Sequence, residues 1–349
     1  MAQPRGKGRQ QVGGAPPLGW RRIAFFVVTA LTAIGGVYLL AGSIEGFPRE
    51  LRRLRSGDPA YLIAGGGLEL LSILGYAALF WSLVTRDIPR VGLKAAVQIP
   101  LAGIAALRLL ATGGAGGFAL TAWALRQAGL TTRDVGTRMV AVLVVQYAFY
   151  LLALIVVGFG LWGGAFDGGG SFALTLLPAA LSAAAIVGVG AFATTGVPAA
   201  AAPRGRVRRW LHELHHWVHG GVRSALAAVA PRRGELDRLV AVGGAFLYWA
   251  FDVAVLWCGF RAFGGAPPLA VVVMIYFLGT LGALLPLAGG VGGVEGGMIG
   301  VGIAFGVSPA RAVLAVLAYR LISFWLPTLP GIAGYLGLRR TVSGWRGSG

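Results

Sequence analysis

Apolar residues run through this chain in blocks of about twenty, closed off by arginine, glycine or proline. Six blocks have the length an α-helix needs to cross the roughly 30 Å hydrocarbon core of a bilayer. They are 23–41, 61–84, 135–158, 172–192, 239–263 and 313–336. Two further stretches, 98–128 and 268–305, are long enough to enter a membrane but are interrupted by glycine. Each consists of an apolar arm, a glycine cluster and a second apolar arm. Either could form two spans; the pattern is read here as a hairpin that enters and returns on one side, since irregular backbone at membrane depth survives only under cover of protein or a wet cavity. The opening residues 1–19 are polar and rich in glycine, proline and glutamine, as a disordered tail would be. Arg21-Arg22 before 23–41 resembles the start of a signal peptide, but no convincing cleavage site follows, so this block counts as the first span.

Composition agrees with the pattern. Hydrophobic residues are 56% of 349 and charged residues 12%, and the formal net charge is +18. A basic excess of this size also fits nucleic-acid binding. That class is excluded here because the arginines stand at the ends of apolar blocks, where they orient a membrane protein. With the N-terminus inside, 22 of the 30 lysines and arginines fall on inner segments. The run Arg49, Arg52, Arg53 and Arg55 falls outside, against the trend. The expected location is the plasma or inner membrane, with both termini in the cytosol. The single cysteine, Cys258, excludes an intramolecular disulfide and a cysteine-based metal cluster.

The glycine clusters match across the two halves. Gly113-Gly114-Ala115-Gly116-Gly117 leads after about a dozen residues to Gly129-Leu130-Thr131. Gly289-Gly290-Val291-Gly292-Gly293, followed at once by Val294-Glu295, leads to Gly306-Val307-Ser308. Each then enters a long apolar block. Three spans and one hairpin per half turn the second copy upside down, the inverted-repeat plan of many secondary transporters, with a site between the halves near the midplane. The expected fold is therefore an all-α integral membrane protein of about six transmembrane helices and two glycine-tipped re-entrant hairpins. The first repeat is 20–160 and the second 161–340, with an amphipathic segment at about 204–230 and a tail at 341–349.

Glycine at a hairpin tip lets the backbone approach a ligand, and successive N–H groups there can cradle an anion. The competing reading is close helix packing, because Gly113/Gly117, Gly289/Gly293 and Gly296/Gly300 have small-xxx-small spacing. Ionisable residues at membrane depth are Glu69, Arg108, Asp252, Glu295 and Arg320, each costly there and so a candidate for function. Glu295 stands out beside the second cluster. It could pair with Arg320, or take up a proton while Arg320 holds a phosphate; Arg108 could hold phosphate in the first half. His212-Glu213-Leu214-His215-His216 matches the H-E-x-x-H zinc pattern, with His219 on the same face. Yet Trp210, Leu211, Leu214, Trp217 and Val218 form an apolar stripe opposite Arg208, Arg209, His212, His216, His219 and Arg223. That arrangement reads as an interfacial helix with tryptophans in lipid and basic groups at headgroups. No metal or other cofactor is expected.

Leu285-Pro286-Leu287-Ala288-Gly289-Gly290-Val291-Gly292-Gly293-Val294-Glu295, then Gly306 and Ala318-Tyr319-Arg320, resembles the membrane region of lysylphosphatidylglycerol synthases, a module that also occurs as free-standing flippase-like proteins. The resemblance covers about residues 20 to 340. It implies movement of an anionic phospholipid or polyprenyl-phosphate-linked lipid between leaflets, with Gly289, Gly290, Gly292, Gly293, Glu295 and Arg320, and in the first half Arg108, Gly113, Gly114, Gly116 and Gly117, at the lipid site. Ala111 and Thr112 depart from the family, where an asparagine and a proline are expected. The soluble aminoacyl-transfer domain of bifunctional members is expected to be absent, since the chain ends at Gly349. Expected partners are the bilayer, a homo-oligomer or a separate lipid-modifying enzyme, and no nucleic acid. The rivals are a polyprenyl-phosphate glycosyl- or phosphotransferase and a non-transporting scaffold. The first wants paired acids in one loop, and Glu45, Glu50, Asp58 and Asp167 are scattered.

Overall fold

The computed structural model describes residues 56–109, 115–194, 206–229, 234–284 and 292–347, and every regular element among them is a helix. Helix α1 (Pro59–Phe80) is capped by Asp58, which accepts from the Ala60 N–H at 2.9 Å, and continues through a π turn at Trp81–Thr85. A helical hairpin follows, α2 (Leu93–Leu109) and α3 (Ala115–Gln127). Helix α4 (Thr132–Trp162) opens on a reciprocal cap between Thr131 and Asp134. Then come α5 (Leu176–Thr194), α6 (Arg206–Val229) and α7 (Glu235–Ala262). The second hairpin is α8 (Leu269–Thr280, with a 3-10 turn at Leu281–Leu284) and α9 (Gly293–Ala304). Helix α10 (Pro309–Arg320) runs through a π turn at Leu321–Trp325 into α11 (Thr328–Gly347).

Five helices are long and apolar enough to span a bilayer: Pro59–Thr85, Thr132–Trp162, Leu176–Thr194, Glu235–Ala262 and Pro309–Trp345. They match five of the six expected blocks; the sixth, 23–41, lies outside the described residues. Large apolar side chains such as Ile63, Leu74, Leu181 and Val187 face outward on them, as lipid contact requires. The protein is an all-α integral membrane protein. The last span extends beyond its apolar block because the helix continues into a polar stretch that hydropathy does not register.

The arms of the hairpins are shorter. Twelve residues each in α8 and α9 make about 18 Å of helix, well under the thickness of the hydrocarbon core. Each pair is antiparallel and tightly seamed. A Cβ on Gly279 would meet Met298, and one on Gly282 would lie 2.0 Å from the Gly293 carbonyl oxygen. In the first hairpin Gly117 packs against the Gly103 carbonyl in the same way. Gly296 and Gly300, which share the spacing, have nothing within 4 Å of a built Cβ and form no seam.

Helices α1 and α7 make the most extensive contact and run antiparallel. Gly75 and Gly244 bring their backbones together: a Cβ on Gly75 would lie 2.9 Å from the Gly244 oxygen, and one on Gly244 2.7 Å from the Gly75 oxygen. Ser72 Oγ donates to the Tyr248 carbonyl at 2.9 Å. At one end of this pair the Asp58 N–H donates to the Ala262 carbonyl at 3.0 Å; at the other, Arg86 and Asp237 form an ion pair. The first hairpin begins and ends at the Arg86 end, and the second at the Asp58 end, so the two enter the bundle from opposite directions. Helix α11 lies antiparallel to α2, with Thr341 Oγ1 donating to Gln98 Oε1 at 3.0 Å. Buried apolar residues form two large clusters, one wrapped about each hairpin.

The amphipathic segment is helical, but its face is turned differently from expectation. Trp217 packs over Gly136 of α4, and Gly220 and Gly221 lie against Thr137 and Val140. His219 is buried and its ring meets Phe192 of α5. Trp217 is thus half-buried against α4, and His219 is buried against α5 rather than exposed with the basic residues. Helix α4, at 31 residues, is long enough to extend past the bilayer and offer this docking surface.

Candidate functional site

Two groups of polar residues lie at depth. The first is where α9 begins, on the tip side of the second hairpin. Gly292 has φ +86°, a conformation that favours glycine, and turns the chain into α9. Its N–H donates to Glu295 Oε2 at 2.7 Å, while Arg320 Nε donates to Glu295 Oε1 at 2.7 Å. Of the two readings of Glu295 and Arg320, the structure shows the pair. The Arg320 guanidinium also lies over the Phe324 ring, 4.9 Å from its centroid. Both side chains are largely buried, with exposures of 9% and 15%. The bridge ties the tip-side end of α9 to the middle of the last span. Position 320 is helical and followed directly by the π turn.

The second group lines a cavity of about 240 Å³ between α1, the first hairpin, α4 and α7. Glu69 and Asp252 contribute carboxylates from the two central helices, Gln146 an amide and Thr121 a hydroxyl. Tyr76, Tyr147, Tyr248 and Trp249 supply aromatic walls. The Tyr76 and Tyr248 rings lie 5.6 Å apart, and Tyr248 packs edge-on against Trp249 at 4.8 Å. Behind this wall Tyr276 of α8 donates to Asp252 Oδ2 at 2.5 Å, and Trp249 Nε1 donates to the Gln146 carbonyl at 2.7 Å. The second hairpin is thus joined to the cavity through α8, although its own residues do not line it. The Tyr150 hydroxyl donates to the Phe277 carbonyl and fixes α8 against α4.

The expected site residues fall as follows. Gly292, Gly293, Glu295 and Arg320 gather at the second hairpin. Gly117 and Gly103 are on the cavity wall, and Gly116 is buried beside them. Arg108 is in the last turn of α2, next to the cavity-lining Leu107; its side chain, and all of Gly113, Gly114, Gly289 and Gly290, lie outside the described residues. Sequence reasoning noted Glu69 and Asp252 as ionisable but did not bring them together, and it missed Gln146, Thr121 and the tyrosines. A glutamine inside an apolar block, in Gln146-Tyr147, was the available signal. Among the described residues no group of three histidine, cysteine or acidic side chains could hold a metal. His212 and His216 do converge, with Nε2 atoms 3.0 Å apart, while Glu213 is exposed.

The sequence profile of the lysylphosphatidylglycerol synthase TM region matches residues 22–331. The chain belongs to this family. A UPF0104 membrane protein of Methanothermobacter thermautotrophicus strain Delta H is 28% identical over 332 residues, covering 89% of this chain and 94% of the relative. Another match of the same description and organism is 37% identical over 111 residues, 30% of this chain and 32% of the relative. Within the matched residues, Gly292 to Glu295 and Tyr319-Arg320 meet at the second hairpin, and the central cavity draws on other residues.

Proposed function

We propose that the protein moves an anionic lipid, a phospholipid or a polyprenyl-phosphate-linked molecule, between the leaflets of a cell membrane. The observation that carries this reading is the pair of short helical hairpins entering the bundle from opposite ends, with a polar cavity beside one and a buried ion pair toward the tip of the other. In the second hairpin, helices of 12 residues, about 18 Å each, favour a re-entrant path over full spans. Opposed hairpins and antiparallel α1 and α7 are what two inverted repeats would produce, and transporters of that plan bind at the repeat interface. Basic residues such as Arg86, Arg90, Lys94, Arg126, Arg133, Arg138, Arg339 and Arg340 lie toward the first hairpin's end of the bundle, which favours a cytosolic location for that end.

In this reading Arg320 exchanges partners. Glu295 holds the guanidinium in the structure, and a lipid phosphate, which a guanidinium can bind through two N–H groups at once, competes for it. The displaced carboxylate then unlocks the second hairpin from α10, while the acyl chains remain in the surrounding lipid. Membership of the lysylphosphatidylglycerol synthase TM-region family supports a lipid-related role. The test is reconstitution into vesicles carrying a fluorescent phosphatidylglycerol in both leaflets, with a membrane-impermeant quencher added outside. Wild-type protein should expose the inner-leaflet label, and Glu295→Gln and Arg320→Ala should each slow its exposure at least about tenfold, the loss of one buried charge contact. Equal rates in empty vesicles and in vesicles with folded wild-type protein would overturn the function; unchanged rates in folded variants would overturn the site.

A further inference from the structure

The central cavity has a polar floor and an open edge. Glu69, Thr121, Gln146 and Asp252 form the floor, and all four are less than a tenth exposed. Leu107, Phe118 and Tyr147 line the same cavity yet are 40%, 43% and 52% exposed. Leu107 is near the end of α2 and Phe118 near the start of α3, while Tyr147 stands midway along α4. Helix α4 is a membrane span, so this edge lies at the depth of the acyl chains. The cavity therefore opens sideways to lipid, between the first hairpin and α4.

The chemistry of the lining narrows the occupant. Two carboxylates, the Gln146 amide, the Thr121 hydroxyl and the hydroxyls of Tyr76, Tyr147 and Tyr248 mix acceptors with donors. A cation calls for acceptors alone. Both acids already interact within the protein, Asp252 with Tyr276, so the floor is not a bare double negative charge. A phosphate calls for guanidinium or ammonium groups, and the described lining residues include neither. Hydroxyl groups donate and accept at once, and they match this set. The walls add a shape. The Tyr76 and Tyr248 rings lie 5.6 Å apart at 48°, and Trp249 stands edge-on to Tyr248, so flat apolar faces adjoin the polar floor. A sugar ring carries C–H groups on its faces and hydroxyls around its edge. It can rest on an aromatic face while its edge reaches the acids and the amide. An open-chain polyol has the hydroxyls but no face. The volume of about 240 Å³ equals the liquid share of roughly eight waters, which suits one such ring.

We propose that the central cavity binds one sugar unit carried on a lipid. The sugar enters from the bilayer between the first hairpin and α4, and its chain stays in lipid beyond Phe118 and Tyr147. No covalent bond is made or broken. That this glycolipid is the molecule moved between leaflets rests on the function proposed above, whereas its binding does not.

The test uses the full chain in phosphatidylcholine nanodiscs. The probe is geranyl phosphate esterified to one glucose; the comparisons are bare geranyl phosphate, free glucose and decyltrimethylammonium. Calorimetric titration should show the glucosyl probe binding at least about tenfold more tightly than bare geranyl phosphate, the worth of one or two net hydrogen bonds. Gln146→Leu and Tyr248→Leu should each remove about that factor while leaving bare geranyl phosphate unaffected. Saturation-transfer NMR on the wild-type protein, irradiated at aromatic resonances, should reach the sugar ring protons, and this reading needs no variant. Equal binding with and without the sugar, or no transfer to the ring, overturns the site. Free glucose that competes as well as the glucosyl probe overturns entry from the bilayer in favour of a water-soluble sugar. Decyltrimethylammonium that binds more tightly than the glucosyl probe, and loses that binding in Asp252→Asn, overturns the sugar in favour of a cationic headgroup. Movement of phosphatidylglycerol in vesicles without binding of the glucosyl probe overturns this substrate class and leaves the proposed function standing. Binding of the glucosyl probe with no movement of either lipid overturns the function and leaves the cavity's assignment standing.

Discussion

At the scale of single residues, Glu295 does two things with its two oxygens. One holds the Gly292 N–H at the turn into α9, and the other holds Arg320. Replacing it by glutamine keeps the size and removes the charge, leaving a largely buried guanidinium without its counter-ion. Breaking such a pair from one side costs about 3–5 kcal/mol. Thermal unfolding in detergent should show that loss for Glu295→Gln. The double variant Glu295→Gln/Arg320→Gln should cost less than the sum of the single changes, because the stranded charge is then gone. Additive effects would show that the two side chains act separately. Glu295 and Arg320 could be picked out from sequence because ionisable residues are rare in apolar blocks. Their choice between pairing with each other and binding other groups could not, since 25 residues of chain separate them and only packing of α9 on α10 closes the distance.

At the scale of elements, α6 shows how an amphipathic pattern can be right about the helix and wrong about its neighbours. The pattern marks one apolar face, but an apolar face fits lipid and protein alike. Glycines at 136, 220 and 221 decide the matter by allowing α4 and α6 to approach closely. The histidines then sit near other positive groups. Partial burial, followed by His212 and Arg133, pushes His216 below its ordinary range. Burial and Arg133 act on His216 only while α6 is docked, so its pKa is lower in the docked helix than in an undocked one. The docked form binds fewer protons, so docking should be strongest at neutral pH and above and should weaken as pH falls through the histidine range. A fluorophore on Glu213→Cys should report α6 leaving α4 between pH 7 and pH 5, and His216→Gln should reduce the change. Cys258 is buried, which limits background labelling. A signal flat over this range in the parent protein would contradict the assignment.

At the scale of the whole molecule, the opposed hairpins make a prediction about sidedness. Thr131 follows the first hairpin and Ser308 the second, and they lie at opposite ends of the bundle. Cysteines placed at the two positions should react with a membrane-impermeant maleimide from opposite faces of sealed, oriented vesicles. Labelling of both from the same face would contradict the opposed entry of the two hairpins. The apolar blocks and the arginines at their ends already carried the membrane class, the helical content and five of the spans within the described residues, because transfer into lipid depends on local composition and length. The pairing of Gly75 with Gly244, the meeting of Glu69, Gln146 and Asp252 around one cavity, and the docking of Trp217 on Gly136 depend on how helices distant in sequence turn toward one another. No local pattern specifies that rotation, since a helix in lipid gains little from hydrophobicity on one face over another. Small residues, buried hydrogen bonds and close backbone contact set it, and they become visible once the helices are packed.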